Sequence, residues 1–160
     1  MVKNASIKLG YLVSQYPGIS HTFIFREVQQ LRKLGFDVRV ASINEANLPL
    51  EGRSEEERGE VAHTFCVKRQ GVIGALSAII KTLFSPAAFF LRGLVFSISL
   101  GGYDLRRLAY HFFYFLEALI LGCWMEREGL THLHVHFANA ASTVALILSK
   151  TFPYTYSISV

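Results

Sequence analysis

The spacing of apolar and polar positions changes several times along the chain, and each change marks an element. Residues 6–14, SIKLGYLVS, are mostly apolar and end in turn residues, as a strand of a buried parallel sheet does. Over about residues 21–34 the period lengthens to that of a helix. Ile24, Val28, Leu31 and Leu34 fall on one face, while Arg26, Gln29, Gln30 and Lys33 lie largely away from it. Ser20 stands where a cap is needed, and Gly35 closes the helix. Residues 36–43, FDVRVASI, return to a strand pattern, completing a βαβ unit whose crossover should be right-handed.

Residues 44–60 read as an acidic loop and residues 61–67, VAHTFCV, as a short third strand. Two or three apolar helices follow, over about 72–84, 86–100 and 105–128, with Pro86 near the first turn of its helix. The last is apolar almost all round, carrying Phe112, Phe113, Phe115, Leu116, Leu119, Ile120 and Trp124, so it is either buried or docked on an apolar partner. Residues 131–138, THLHVHFA, alternate as a fourth strand; 139–152 form a helix and 154–160 a fifth strand. Strands alternating with helices predict an α/β fold, a Rossmann-like parallel sheet with helices on both faces. The chain stops within the fifth strand, which suggests a fragment.

Composition narrows the class. With 160 residues, 51% hydrophobic and 18% charged, the chain has the material for one sizeable core and no overall signature of disorder. No secretory signal opens it. Cys66 and Cys123 show neither CxxC nor zinc spacing and read as reduced core residues in a reducing compartment. Lys81, Arg92, Asp104 and the pair Arg106–Arg107 interrupt the apolar middle, and the longest charge-free run, 129–149, holds three histidines and an asparagine. No transmembrane helix is expected.

The net charge of +4 is unevenly placed. Residues 45–60 hold six acids against two arginines, whereas residues 61–125 hold six bases against two acids amid most of the aromatics. Because the bases are scattered singly among phenylalanines, an anionic membrane surface suits them better than nucleic acid. Arg92, Arg106 and Arg107 are the candidate membrane-surface residues, beside Phe84, Phe89, Phe90, Phe96 and Phe112. The alternative is a helical core whose few charges point to water.

In an open parallel sheet, ligands gather outside the carboxyl ends of the strands. Residues 14–22 and 136–142 are the segments there. The first lacks both GxGxxG and GxxxxGK[ST], so no nicotinamide or nucleotide P-loop is supported, but Ser20, His21 and Thr22 at a helix N-terminus suit a phosphate or a sugar hydroxyl. An ordinary capped turn fits the same residues. His132, His134 and His136 alternate and so share one face of their strand. A metal site would need a third or fourth ligand and supporting partners, so no metal is expected, and His136 is placed at the cleft. His63 and His111 read as structural.

Two blocks carry a resemblance. YPGISHTFIFREVQQLRKLGFDVRVASI and HLHVHFANAASTVALILSKTFPYTYSISV resemble the N-terminal half of bacterial family 4 glycosyltransferases of the GT-B fold, the exopolysaccharide and colanic-acid type. That family shows a Pro-x-x-Ser-Glu-Thr-Phe-Ile loop and helix, then a His-x-His-x-His-Phe-Ala strand end. Carried onto this chain, Pro17, Ser20 and Thr22 match the first loop, and His136, Phe137 and Ala138 the second strand end; His21 stands where the family has glutamate. The candidate acceptor-cleft residues are therefore Pro17, Ser20, His21, Thr22, His136 and Asn139. Between the blocks, residues 44–130 match in character alone.

The resemblance implies that residues 1–160 are an acceptor-side domain, incomplete at the C-terminus and lacking the donor-binding domain with its Glu-x7-Glu motif. Catalytic residues are then expected just beyond Val160, and the fragment should be inactive alone. The implied parent enzyme is a retaining glycosyltransferase that moves a sugar from a sugar nucleotide to a lipid-linked or polysaccharide acceptor. It would need no cofactor, bind no nucleic acid, and work in the cytoplasm at the inner face of the cell membrane. Two other readings remain at this point: a non-catalytic α/β module that binds a membrane or a partner, and a histidine-rich metal hydrolase.

Overall fold

A computed structural model describes residues 8–18, 22–46, 54–84 and 87–160. Five parallel strands, β1 (Lys8–Gln15), β2 (Asp37–Asn44), β3 (Phe65–Cys66), β4 (His132–His136) and β5 (Thr155–Ser159), form one sheet in the order β3-β2-β1-β4-β5. Among the described residues, six α-helices connect them: α1 (Thr22–Lys33), α2 (Glu55–His63), α3 (Gly71–Leu83), α4 (Ala87–Gly101), α5 (Leu105–Glu128) and α6 (Ala140–Thr151). The expected Rossmann-like α/β sheet is therefore present.

Alternation along the strands sorts the core into two layers. Leu12, Ala41, Ile43, Leu133 and Val135 face one side and pack with the buried parts of α5 and α6. Tyr11, Val13, Val38 and Val40 face the other side, under Ile24 and Val28 of α1. The helix ends follow local chemistry. After α1, Gly35 takes φ +91, Gly35 N–H donates to Arg32 O (3.0 Å) and Phe36 N–H to Leu31 O (3.1 Å). That left-handed closure favours glycine because it carries no Cβ.

Two sequence expectations fail between β2 and α3. The acidic stretch is not all loop, because α2 begins at Glu55 behind a full capping box. Ser54 Oγ accepts from Glu57 N–H and the Glu57 carboxylate accepts from Ser54 N–H, with three acids in the first turn facing the helix dipole. The third strand then shrinks to Phe65–Cys66, since residues 61–63 belong to α2. Seven apolar-leaning positions suggested a strand, but the cap upstream recruited the first three. The remaining helices and strands fall within about two residues of their expected ends, as cap-based boundaries do. The Ser20 cap and the place of Pro86 lie outside the described residues.

α5 spans 24 residues, ~36 Å of helix, against ~17 Å for the five-residue strand β4 that follows it. From Phe115 to Met125 it is largely buried, whereas much of its N-terminal half is exposed and overhangs the carboxyl edge of the sheet. By length and composition α5 could cross a membrane, with mean hydropathy 1.4 in its most apolar window, of which 44% is buried. That buried portion is the central helix of the larger core layer.

Candidate functional site

The strand order reverses between β1 and β4, which opens a crevice beyond their carboxyl ends. Its first wall is the turn after β1. Tyr16 N–H donates to Ser42 Oγ (3.0 Å), Ser42 Oγ donates to Asn44 O (2.6 Å), and Asn44 Nδ2 donates to Ser14 O (2.9 Å), so the turn is stitched to the end of β2. The Tyr16–Pro17 peptide is cis. The second wall is the turn after β4, where Phe137 takes φ +71, an uncommon place for a bulky side chain. Its N–H donates to Ser159 O (2.8 Å), and its ring meets Phe23 edge-on, with centroids 5.9 Å apart. Strained backbone of this kind concentrates at functional sites.

The sequence-selected cleft residues divide. Pro17 is buried in the first turn, and Thr22 is exposed at the start of α1. His136 is buried at the end of β4, with its ring 5.9 Å from that of Phe23. Asn139 turns out to be the N-cap of α6, its Oδ1 accepting from Ala141 N–H (3.0 Å). Ser20 and His21 lie outside the described residues. Glu27, which sequence reasoning passed over, faces His136 with Oε2 3.5 Å from Nε2, while its Oε1 accepts from Tyr11 Oη–H (2.7 Å). A signal was legible: Glu27 stands three residues after Ile24 and four before Leu31, on the flank of the apolar stripe.

The three histidines share the α1 side of the sheet and pair with a ladder of hydroxyls on β5. The Ser157 hydroxyl bridges His132 Nε2 (3.0 Å) and His134 Nδ1 (2.8 Å). Thr155 Oγ1 meets His132 Nδ1 (2.8 Å) and donates to Thr131 O (3.4 Å). Ser157 has one proton for its two imidazole contacts, so at least one of the two ring nitrogens donates to it. Burial, offset in part by Glu27 and reinforced by His132, holds the His134 pKa below its ordinary value. Burial, helped by Glu27, pushes the Tyr11 phenol up, so it stays a proton donor.

On the opposite side of the sheet, at the same carboxyl edge, lies an open apolar cavity of about 480 Å³. The end of β2 (Ile43, Asn44), the start of α3 (Val72) and the middle of α5 (Tyr110, Phe113, Glu117) line it. Glu117 Oε2 is buried with no hydrogen-bond partner among the described residues. Burial raises the Glu117 pKa, and Lys68 lowers it in part. Lys68 Nζ, also at the cavity wall, donates to Asn44 Oδ1 (2.7 Å).

Val72, Phe113 and Tyr110 at the cavity mouth are 75%, 60% and 49% exposed, and the segment from α3 to α5 also exposes Ile73, Leu76, Phe84, Val95 and Leu105. The proposed basic ridge is less uniform than the sequence suggested. Arg106 and Arg107 sit exposed at the start of α5, Arg106 over the Tyr110 ring and Arg107 3.9 Å from Asp104. Arg92 instead donates from Nε to Lys150 O (2.8 Å), at the C-terminal end of α6.

No family model matches the chain, and neither a curated protein nor a solved structure matches it. The fold and the crevice define a Rossmann-like α/β protein with its candidate chemistry at the switch point of the sheet.

Proposed function

We propose that this chain is the acceptor-binding part of a retaining glycosyltransferase that moves a sugar from a sugar nucleotide to a lipid-linked acceptor at the inner face of the cell membrane. The observation that carries the reading is the apolar cavity at the carboxyl edge of the sheet, whose lining includes the exposed side chains of Val72, Tyr110 and Phe113. A lipid tail can enter such a mouth from a membrane, and Lys68 and Asn44 at the wall suit a phosphate headgroup. Arg106 and Arg107 add attraction to an anionic leaflet, worth about 1 kcal/mol per basic residue near the surface. The donor, the retaining course and the exopolysaccharide setting come from the resemblance of the two sequence blocks.

Flotation with lipid vesicles tests this reading. Phosphatidylcholine vesicles doped with a short-chain polyprenyl phosphate should carry more protein than vesicles given equal charge as phosphatidylglycerol. Val72→Asp and Phe113→Asp at the cavity mouth should remove that excess, while Arg106→Glu with Arg107→Glu should weaken binding to both anionic vesicles. Equal binding to the two vesicle types would overturn the acceptor role and leave a membrane-binding α/β module.

A further inference from the structure

Alternating histidines on a strand offer two ligands at most to one ion on their face, and the strand alone provides no third. The tertiary structure supplies it. Glu27, His134 and His136 each present a ligand atom within 4.8 Å of the other two. Glu27 comes from α1 and the histidines from the carboxyl end of β4, so helix and strand frame the group from two sides. We propose that these three residues form a mononuclear site for a divalent transition-metal ion of the zinc class, with two imidazole nitrogens and one carboxylate oxygen as ligands and a fourth position open.

Supporting bonds fit this role. Ligating histidines normally hold their second ring nitrogen on an acceptor, and ligating carboxylates are themselves hydrogen-bonded. His134 Nδ1 is on Ser157 Oγ (2.8 Å) and His136 Nδ1 on Ser159 Oγ (2.9 Å), two successive hydroxyls on the same face of β5. Both rings are thereby oriented with Nε2 as the ligating atom, and His136 Nε2 lies 3.5 Å from Glu27 Oε2. The Tyr11 hydroxyl fixes the other carboxylate oxygen at 2.7 Å. Phe23 closes on the His136 ring edge-to-face, shielding one side of the group.

The dimensions are those of a site that closes slightly on its ion. Tetrahedral ligands about 2.0–2.1 Å from zinc stand roughly 3.4 Å apart. The Glu27–His136 pair already has that spacing, and small rotations of Glu27 and the His134 ring bring in the widest pair. Three protein ligands with an open fourth position are the arrangement of zinc sites that bind water or a ligand oxygen, rather than sites that only staple a fold. Here that position lies by the β1–β4 crevice, on the opposite side of the sheet from the apolar cavity. The inference does not depend on the glycosyltransferase reading.

The test uses the whole 160-residue chain, stripped of metal with a chelator, titrated with zinc against a chromophoric competitor and separately with cobalt(II). One equivalent should bind, and cobalt should give the intense visible absorption of a tetrahedral centre. Glu27→Gln, His134→Gln and His136→Gln should each weaken zinc at least tenfold. Tyr11→Phe should weaken it by about 10–100-fold, the usual effect of losing a supporting bond. His63→Gln on α2 should leave affinity unchanged. The cobalt spectrum of the unaltered chain needs no variant to fold: a weak octahedral spectrum, or none, would overturn the site. So would stoichiometric zinc that survives all three ligand substitutions.

Discussion

Replacing Glu117 should make this protein more stable. Its carboxylate is desolvated at the wall of an apolar cavity, Oε2 has no hydrogen-bond partner among the described residues, and Lys68 compensates only in part. Leaving a buried polar atom unsatisfied costs about 1–3 kcal/mol. Glu117 is only partly buried, which puts the expected gain at the low end. Glu117→Leu should raise the unfolding free energy by about 1 kcal/mol near neutral pH. For a chain of this size that is ~2–4 °C in Tm. Glu117→Gln, which removes the charge and keeps the shape, should gain about half as much.

The pH dependence carries the diagnosis. A carboxyl whose folded pKa is raised binds its proton more tightly in the native state, so its cost is present above the folded pKa. That cost disappears as pH falls through this value towards the ordinary carboxylate range. The stability gap between Glu117→Leu and the unaltered chain should therefore be widest near neutral pH and close in mild acid. Urea denaturation at a series of pH values, with unchanged m-value, measures it, and groups common to both chains cancel in the difference. A gap that does not vary with pH, or a less stable variant, would refute the reasoning.

Other expectations concern the frame around the site. Arg32 Nη1 pairs with Glu60 Oε2 at 2.5 Å, and Glu60 is 4% exposed against 30% for Arg32, which also donates to Val38 O. Urea melts should show Arg32→Met costing about 3 kcal/mol, because it strands a buried carboxylate. Glu60→Gln should cost about 1 kcal/mol, since it keeps an acceptor for Arg32 and Gln29; equal losses would contradict this asymmetry. A Cβ at Gly122 would run into the Phe152 ring. Gly122→Ala should therefore lower stability by roughly 1–3 kcal/mol, and adding Phe152→Leu should recover part of it if ring contact is the cause.

Much of the fold was readable because its signals are local. The run of apolar residues in β1, the 3.6-residue stripe of α1 and the Gly35 stop depend on neighbours a few residues away, and they placed a βαβ unit correctly. The alternation of His132, His134 and His136 was likewise enough to put all three on one face of their strand. The exceptions were local too: the capping box at Ser54 and Glu57 is a sequence signal, and without it α2 reads as loop over residues 55–60 and as strand over 61–63.

What the linear chain could not decide were the meetings between distant segments. Whether an alternating histidine faces water, a helix or an acid depends on which strand is its neighbour, and the order β3-β2-β1-β4-β5 is a property of the whole sheet. Only that order puts Thr155, Ser157 and Ser159 beside the histidines and brings Glu27 of α1 over the end of β4. Likewise, the nearly all-round apolar pattern of α5 left burial and surface docking open. The answer came from a mismatch of lengths, since a 24-residue helix beside a five-residue strand is buried along one half and overhangs with the other. Sequence spacing determines which side chains can share a face, and tertiary packing determines what that face meets.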